Sequence, residues 1–252
     1  MRGTRSPHLP SATAVGEEQQ AKAEARRRVW QLLEERKLAR FPRPVRGRIP
    51  NFAGSEEAAR RLAALPEFDA AGVVKVNPDA PQRLVRYAAL KAGKTLLTPT
   101  PRLREGFLCL LPADIPAGKL LEAASIAGAA KYGRAIALPD IPNIDLLVVG
   151  SVAVTEAGAR AGKGEGYGEL EYAMLRMFGK ATAATPIITS VHDEQLVEEL
   201  PFEPFDVPLD VIVTPTRTIR TDTKQQKPDR IYWDLLPAHK IEEIPLLQQL
   251  KP

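Results

Sequence analysis

The sequence predicts an α/β protein with a mostly parallel, open sheet flanked by helices on both faces. Three observations predict it. Short apolar runs alternate with segments of helical periodicity from Ala71 to Val213, the pattern of strand–helix–strand units. The runs lack polar alternation, as strands covered on both faces do. Each run also gives way at once to a polar cluster marked by proline or glycine. Parallel strands bring such clusters to one edge of the sheet, where open α/β folds bind ligands.

At 252 residues and 44% hydrophobic content, the chain can bury one large core. No apolar run approaches the roughly 20 residues of a membrane span. The N-terminus is polar and carries no signal-peptide stretch, so the expected location is cytoplasmic. A single cysteine, Cys109, excludes a disulfide framework and a cysteine-built metal site. It sits in the strand-like run Gly106–Leu111 and reads as an inert thiol. The net charge of +4 is uneven: residues 1–50 hold twelve Lys/Arg against five Asp/Glu, while the remaining 202 hold twenty-three against twenty-six. The basic surplus thus belongs to the N-terminal arm. Arginines on an exposed helix also pair and snorkel, so nucleic acid is a minor reading of this charge.

In chain order, residues 1–20 show no periodicity and read as a disordered basic arm. Ala21–Arg40 is helical, with Val29, Leu32 and Leu33 on its apolar side. Phe41-Pro42-Arg43-Pro44 ends it, and Ser55 opens a helix to about Leu65. Ala71–Val76, Lys94–Leu97, Phe107–Leu111, Ile144–Val154, Ile187–Val191 and Leu209–Val213 read as strands. Pro81–Ala92, Gly118–Lys131 and Glu169–Phe178 read as helices. The domain reading is an α/β domain over 21–220 and an extension over 221–252 that packs on it, ending in a helix-like stretch, Ile241–Leu250. The clusters after the strands include Asn77-Pro78-Asp79, Thr98-Pro99-Thr100-Pro101-Arg102, His192-Asp193-Glu194-Gln195 and Thr214-Pro215-Thr216-Arg217. Arg102 and Arg217 are thereby expected at one edge, although each cluster also reads as an ordinary strand-ending turn. His192 reads as a hydrogen-bonded strand-end residue.

The stretch between Gly158 and Gly168 carries the functional signal. It holds five glycines together with Arg160 and Lys163, between an apolar strand and a helix. Glycines let successive N–H groups converge on an anion, and the helix adds its positive end. The spacing matches neither Gly-x-x-x-x-Gly-Lys-Ser/Thr nor Gly-x-Gly-x-x-Gly, so the loop reads as an anion or nucleotide site of another kind.

Arg160-Ala161-Gly162-Lys163-Gly164-Glu165-Gly166-Tyr167-Gly168-Glu169 resembles the glycine-rich loop of the 5-formyltetrahydrofolate cyclo-ligase family, which runs Arg-Leu-Gly-x-Gly-x-Gly-Tyr-Tyr-Asp-Arg. The resemblance continues through His192–Leu196, Phe205–Asp210, Val213-Thr214, Lys22-Ala23-Glu24-Ala25-Arg26 and Asp79. It covers roughly residues 20–220 and is closest to the methenyltetrahydrofolate synthetase domain-containing subgroup. That subgroup's pattern is echoed by Arg48–Phe52, Val74–Asp79, Pro99–Leu103 and Gly150–Val154. The chain departs from the family at Gly168, Glu169 and Leu170, which stand where the family has tyrosine, aspartate and arginine.

The resemblance implies a sheet of the NagB/RpiA/CoA-transferase-like kind, and ATP- and Mg²⁺-dependent closure of 5-formyltetrahydrofolate to 5,10-methenyltetrahydrofolate. It implies that Arg160 and Lys163 act catalytically on the phosphates. Lys22, Arg26, Gly162, Gly164, Glu165, Gly166, Tyr167 and Gly168 would share the ATP site. Asp79 and Tyr167 would contact the folate, and Glu169 and Asp206 would hold the metal. Each has a plainer reading: a solvated helix face for Lys22 and Arg26, a helix-start carboxylate for Glu169, a turn for Asp206 and a helix cap for Asp79. The alternative for the whole chain is a non-catalytic nucleotide- or RNA-binding protein on the same scaffold. The oligomeric state is not legible.

Overall fold

The computed structural model describes residues 12–252. Its main sheet has eight strands in the spatial order Thr218–Arg220, Val211–Val213, Ile187–Ser190, Leu146–Val149, Val73–Val76, Thr95–Pro99, Phe107–Leu110 and Arg134–Ile136. The five from Val211–Val213 to Thr95–Pro99 are parallel, and the outer three run antiparallel to their neighbours. This is the mostly parallel α/β sheet expected. The chain builds outward from Val73–Val76 to one edge, then returns to Leu146–Val149 and builds outward to the other. Strand order therefore reverses between those two strands, and a crevice opens at their carboxyl ends.

Both faces are covered. Val74, Val76, Leu146, Val148 and Ile188 point into one layer with the helices Ser55–Ala63, Arg83–Lys91 and Ile126–Tyr132. Leu97, Leu147, Val149, Ile187 and Ile212 point into the other, with the helix Tyr167–Met177 and with Ile231, Ile244 and Leu247 of the C-terminal segment. Fully burying such a side chain contributes roughly 1.5–3 kcal/mol. A third cluster packs Val29, Trp30 and Leu33 of the N-terminal helix against Val152, Ala153 and Ala161. No helix of the described residues is long and apolar enough to cross a membrane.

Several elements differ from the sequence reading. The N-terminal helix runs Ala12–Glu35, so residues 12–20 are helical and not disordered. Their alanine, glutamate and glutamine favour helix even without an apolar stripe. The rest of the expected arm, 1–11, lies outside the described residues. The run Ile144–Val154 divides: its strand ends at Val149, and Ala153–Val154 instead pairs antiparallel with Arg160–Ala161. The glycine loop therefore follows a hairpin. Gly118–Lys131 forms two helices, because the Ser125 hydroxyl accepts the Gly128 N–H at 2.9 Å and caps the second. Arg134–Ile136 and Thr218–Arg220 are short edge strands with partly exposed side chains, too short for a periodic signal. Pro245 divides the final stretch into Ala238–Glu243 and Pro245–Leu250.

Candidate functional site

A cleft of about 800 Å³ lies at the carboxyl edge of the parallel strands, where the strand order reverses. The N-terminal helix and the glycine loop form one wall, the turn Asn77–Asp79 forms the floor, and residues 230–240 form the opposite wall.

The first wall holds most of the residues singled out from the sequence. Lys22 is buried, not solvated. Its Nζ donates to Glu203 Oε2 at 2.7 Å and to Asp206 Oδ2 at 2.5 Å. Asp206 Oδ2 also accepts the Glu203 N–H at 2.7 Å, the bond of a turn residue. Burial, opposed by Lys22 and reinforced by Glu169, pushes the Asp206 carboxyl up to about 6. Glu203 is the member of this cluster that sequence reasoning missed; no motif marks it.

Arg26 lies one helical turn from Lys22, with its guanidinium against Gly164. Burial lowers its pKa, while Glu169, Glu203 and Asp206 favour its charge. Those carboxylates already have partners, Glu203 and Asp206 in Lys22 and Glu169 in Arg160. Among the described residues Arg26 therefore lines the cleft with no ion pair of its own. Lys163 also lines the cleft and pairs with Glu165 within the loop at 2.7 Å.

Gly164 has φ +97° and Gly166, the helix N-cap, has φ +74°, a backbone that L side chains rarely adopt. In this conformation no backbone N–H from Gly164 to Glu169 meets an acceptor among the described residues. The row of free donors ends in the N-terminus of an eleven-residue helix, Tyr167–Met177, an arrangement suited to anions.

Two of the expected site residues line the cleft and are also tied into the framework. Arg160, expected on the phosphates, is 5% exposed and bonded into the framework. It donates from Nη1 to Gly150 O at 2.7 Å and from Nη2 to Glu169 Oε1, tying the central strand's end to the helix start. A Cβ on Gly168 would lie 3.2 Å from Arg160 Nη2, so glycine at this departure from the family leaves room for the pair. Tyr167, expected to pack on a ligand ring, is 8% exposed and carries Lys240 Nζ 4.1 Å from its ring centroid. Its hydroxyl donates to Glu243 Oε1 at 2.9 Å.

On the floor, Asp79 makes no cap bond to the turn it precedes. Burial pushes its carboxyl up, and Lys163, Arg86 and Lys75 oppose that shift. Arg86 escaped the sequence reading because it sits mid-helix in a periodic pattern. It is buried and donates to Ala124 O at 2.8 Å, to Asp79 O at 3.1 Å and to Asn77 O. It thus holds the turn that presents Asp79, and burial lowers its pKa to about 10. Lys75 on the central strand pairs with Glu171 and donates to Asn77 Oδ1 at 2.7 Å.

Of the two strand-end arginines, only Arg102 reaches the cleft; Arg217 pairs with Glu156 at 2.9 Å. His192 caps its own turn, accepting the Glu194 N–H at Nδ1, and is not part of the cleft lining. Cys109 is partly buried with its thiol pushed up by burial.

A family model described as the 5-formyltetrahydrofolate cyclo-ligase family matches residues 18–215. A methenyltetrahydrofolate synthase domain-containing protein of Danio rerio is 45% identical over 92% of this chain and 62% of its own length. The Homo sapiens protein of the same description is 44% identical over 92% of this chain and 61% of its own length. The chain thus spans less than two thirds of these relatives. The solved structure of 5,10-methenyltetrahydrofolate synthetase from Aquifex aeolicus shares the fold, with a TM-score of 0.50 at 20% identity, covering 84% of this chain and 98% of that one.

Proposed function

This chain belongs to the 5-formyltetrahydrofolate cyclo-ligase family, and on that premise we propose that it closes 5-formyltetrahydrofolate to 5,10-methenyltetrahydrofolate with consumption of ATP. The observation that carries this reading is the row of N–H groups from Gly164 to Glu169 that meet no acceptor among the described residues, with the Arg26 guanidinium, which has no ion pair among them, against Gly164. Together they offer a polyphosphate both directional donors and charge.

In the reaction, the formyl oxygen attacks the terminal phosphoryl group and displaces ADP; the neighbouring nitrogen then bonds to the formyl carbon, which expels phosphate as the nitrogen loses its proton. Such a transfer needs positioning and charge neutralisation more than a covalent nucleophile. Lys163 and Arg26 supply the charge. Lys22 acts one step back, by holding Asp206 and Glu203. Arg160 orients Glu169. Asp79, presented by Arg86, faces the folate.

The carboxylates suit a magnesium ion. Glu169 Oε2 and Asp206 Oδ1 have no protein partner among the described residues, whereas the other oxygen of each is taken by Arg160 or Lys22. No group of three or more His, Cys, Asp or Glu forms a protein-only cage among the described residues, and Mg²⁺ is commonly held by one or two carboxylates plus substrate phosphates. Bound there, the ion would supply charge neutralisation to the phosphates.

The test is turnover of the purified chain with Mg-ATP and 5-formyltetrahydrofolate, following methenyl absorbance and ADP together. Both products are expected, with turnover reduced on the order of 10²-fold in Lys163→Ala and Glu169→Gln. ATP binding without either product would sink the ligase reading and leave a nucleotide-binding module.

A further inference from the structure

The wall formed by the C-terminal segment lies beyond residue 215, where the family match ends, and the reading above leaves it without a task. At its rim three donors surround one carboxylate. Glu243 Oε1 lies 2.9 Å from Tyr167 Oη and 3.8 Å from Arg102 Nη1, and Glu243 Oε2 lies 3.2 Å from Lys240 Nζ. The three donor residues line the cleft, while Glu243 is not among its lining residues. The cluster therefore borders the cleft through its donor residues.

Two features mark this as more than a chance surface contact. Arg102 and Leu103 are consecutive non-glycine residues in the left-handed region, at φ 57° and 53°, a conformation that L residues rarely adopt. That turn, held by Thr100 Oγ1 donating to Gly106 O and accepting the Glu105 N–H, delivers Arg102 to Glu243. The helix bearing Lys240 is also anchored and not a frayed end, because Ile244 and Leu247 just beyond it are fully buried in the main core.

We propose that Arg102, Tyr167 and Lys240 form a carboxylate-binding subsite that takes the glutamyl carboxylates at the tail of the reduced folate, with the chain's own Glu243 competing for it. The inference rests on the folate reading. Its chemistry comes from the cluster itself, which already binds a carboxylate through a phenol hydroxyl and two cations. A nucleotide phosphate is the other anion in reach, since Lys163 Nζ is 5.9 Å from the same tyrosine ring. The two sources separate experimentally.

The experiment measures binding to the full chain by calorimetry, using Mg-ATP and 5-formyltetrahydrofolate with one and with three glutamates. Lys240→Ala is expected to weaken the folates roughly tenfold, more for the triglutamate, and Lys240→Arg to retain binding. Glu243→Gln is expected to tighten the folates by removing the competing charge. Mg-ATP affinity is expected to stay unchanged in all three. A loss confined to Mg-ATP in Lys240→Ala would overturn the tail assignment in favour of phosphate. Weakened folate binding in Glu243→Gln, parallel to Lys240→Ala, would reduce the cluster to a structural latch. If the unmodified chain binds both ligands and the variants bind them equally well, this proposal alone fails. If the unmodified chain binds neither, the folate reading fails with it.

Discussion

The two walls of the cleft use the same chemistry at different depths. In the first, Lys22 and Arg160 meet Glu203, Asp206 and Glu169, and the side chains of Lys22, Glu203 and Asp206 are only 6%, 2% and 7% exposed. In the second, Arg102 and Lys240 meet Glu243, with Arg102 54%, Glu243 29% and Lys240 14% exposed. Depth decides what each cluster can do. A buried charge that loses its partner stays desolvated, so the first wall is locked. A rim charge that loses its partner is rehydrated at little cost, so the second wall can exchange its carboxylate for another.

The strongest way to break this comparison is Lys22→Met. It strands Glu203 and Asp206 in the interior, and the expected loss is about 3–5 kcal/mol in urea unfolding. A loss under about 1 kcal/mol would mean that water reaches the cluster and that the two walls do not differ in kind.

How legible each wall was in the sequence follows the same division. The glycine loop was legible from its residues, Lys22, Arg26 and Asp206 from the family resemblance, and the strand clusters pointed to the carboxyl edge of the sheet, where the cleft lies. Arg160 and Tyr167 were found without their framework contacts: Gly150 O, Glu169 and the Lys240–Glu243 helix become their partners through packing that spacing does not encode. Glu203, Arg86 and Lys75 sit in ordinary-looking patterns, and only burial exposes them as members of the site. The extension over 221–252 was expected to pack on the domain, as Ile231, Ile244 and Leu247 do, but its place as a cleft wall was not legible. Tyr167 and Glu243 are 76 residues apart in sequence, and nothing in a short polar tail marks which face it will present.

A smaller effect tests the loop within the locked wall. Gly164→Ala places a Cβ 3.2 Å from the Arg26 guanidinium and forces alanine to φ +97°. A stability loss of about 1 kcal/mol is expected, less than the full left-handed penalty because alanine also restricts the unfolded chain. The larger consequence falls on Mg-ATP, whose affinity is expected to drop as the free N–H groups and Arg26 shift apart. Unchanged Mg-ATP affinity would remove the loop from the nucleotide site.

The smallest effect carries the opposite sign and belongs to the rim. Arg102→Gly relieves a left-handed residue and gives up only an exposed pair at 3.8 Å. Glycine tolerates that backbone, but it frees the unfolded chain as well, so the expected net gain is at most about 1 kcal/mol. Folate binding is expected to weaken in the same variant, because the subsite loses a cation. Stability and affinity moving apart is what a strained functional residue produces. If the glycine variant is less stable than the original, the Arg102–Glu243 contact outweighs the strain, and the second wall is as locked as the first.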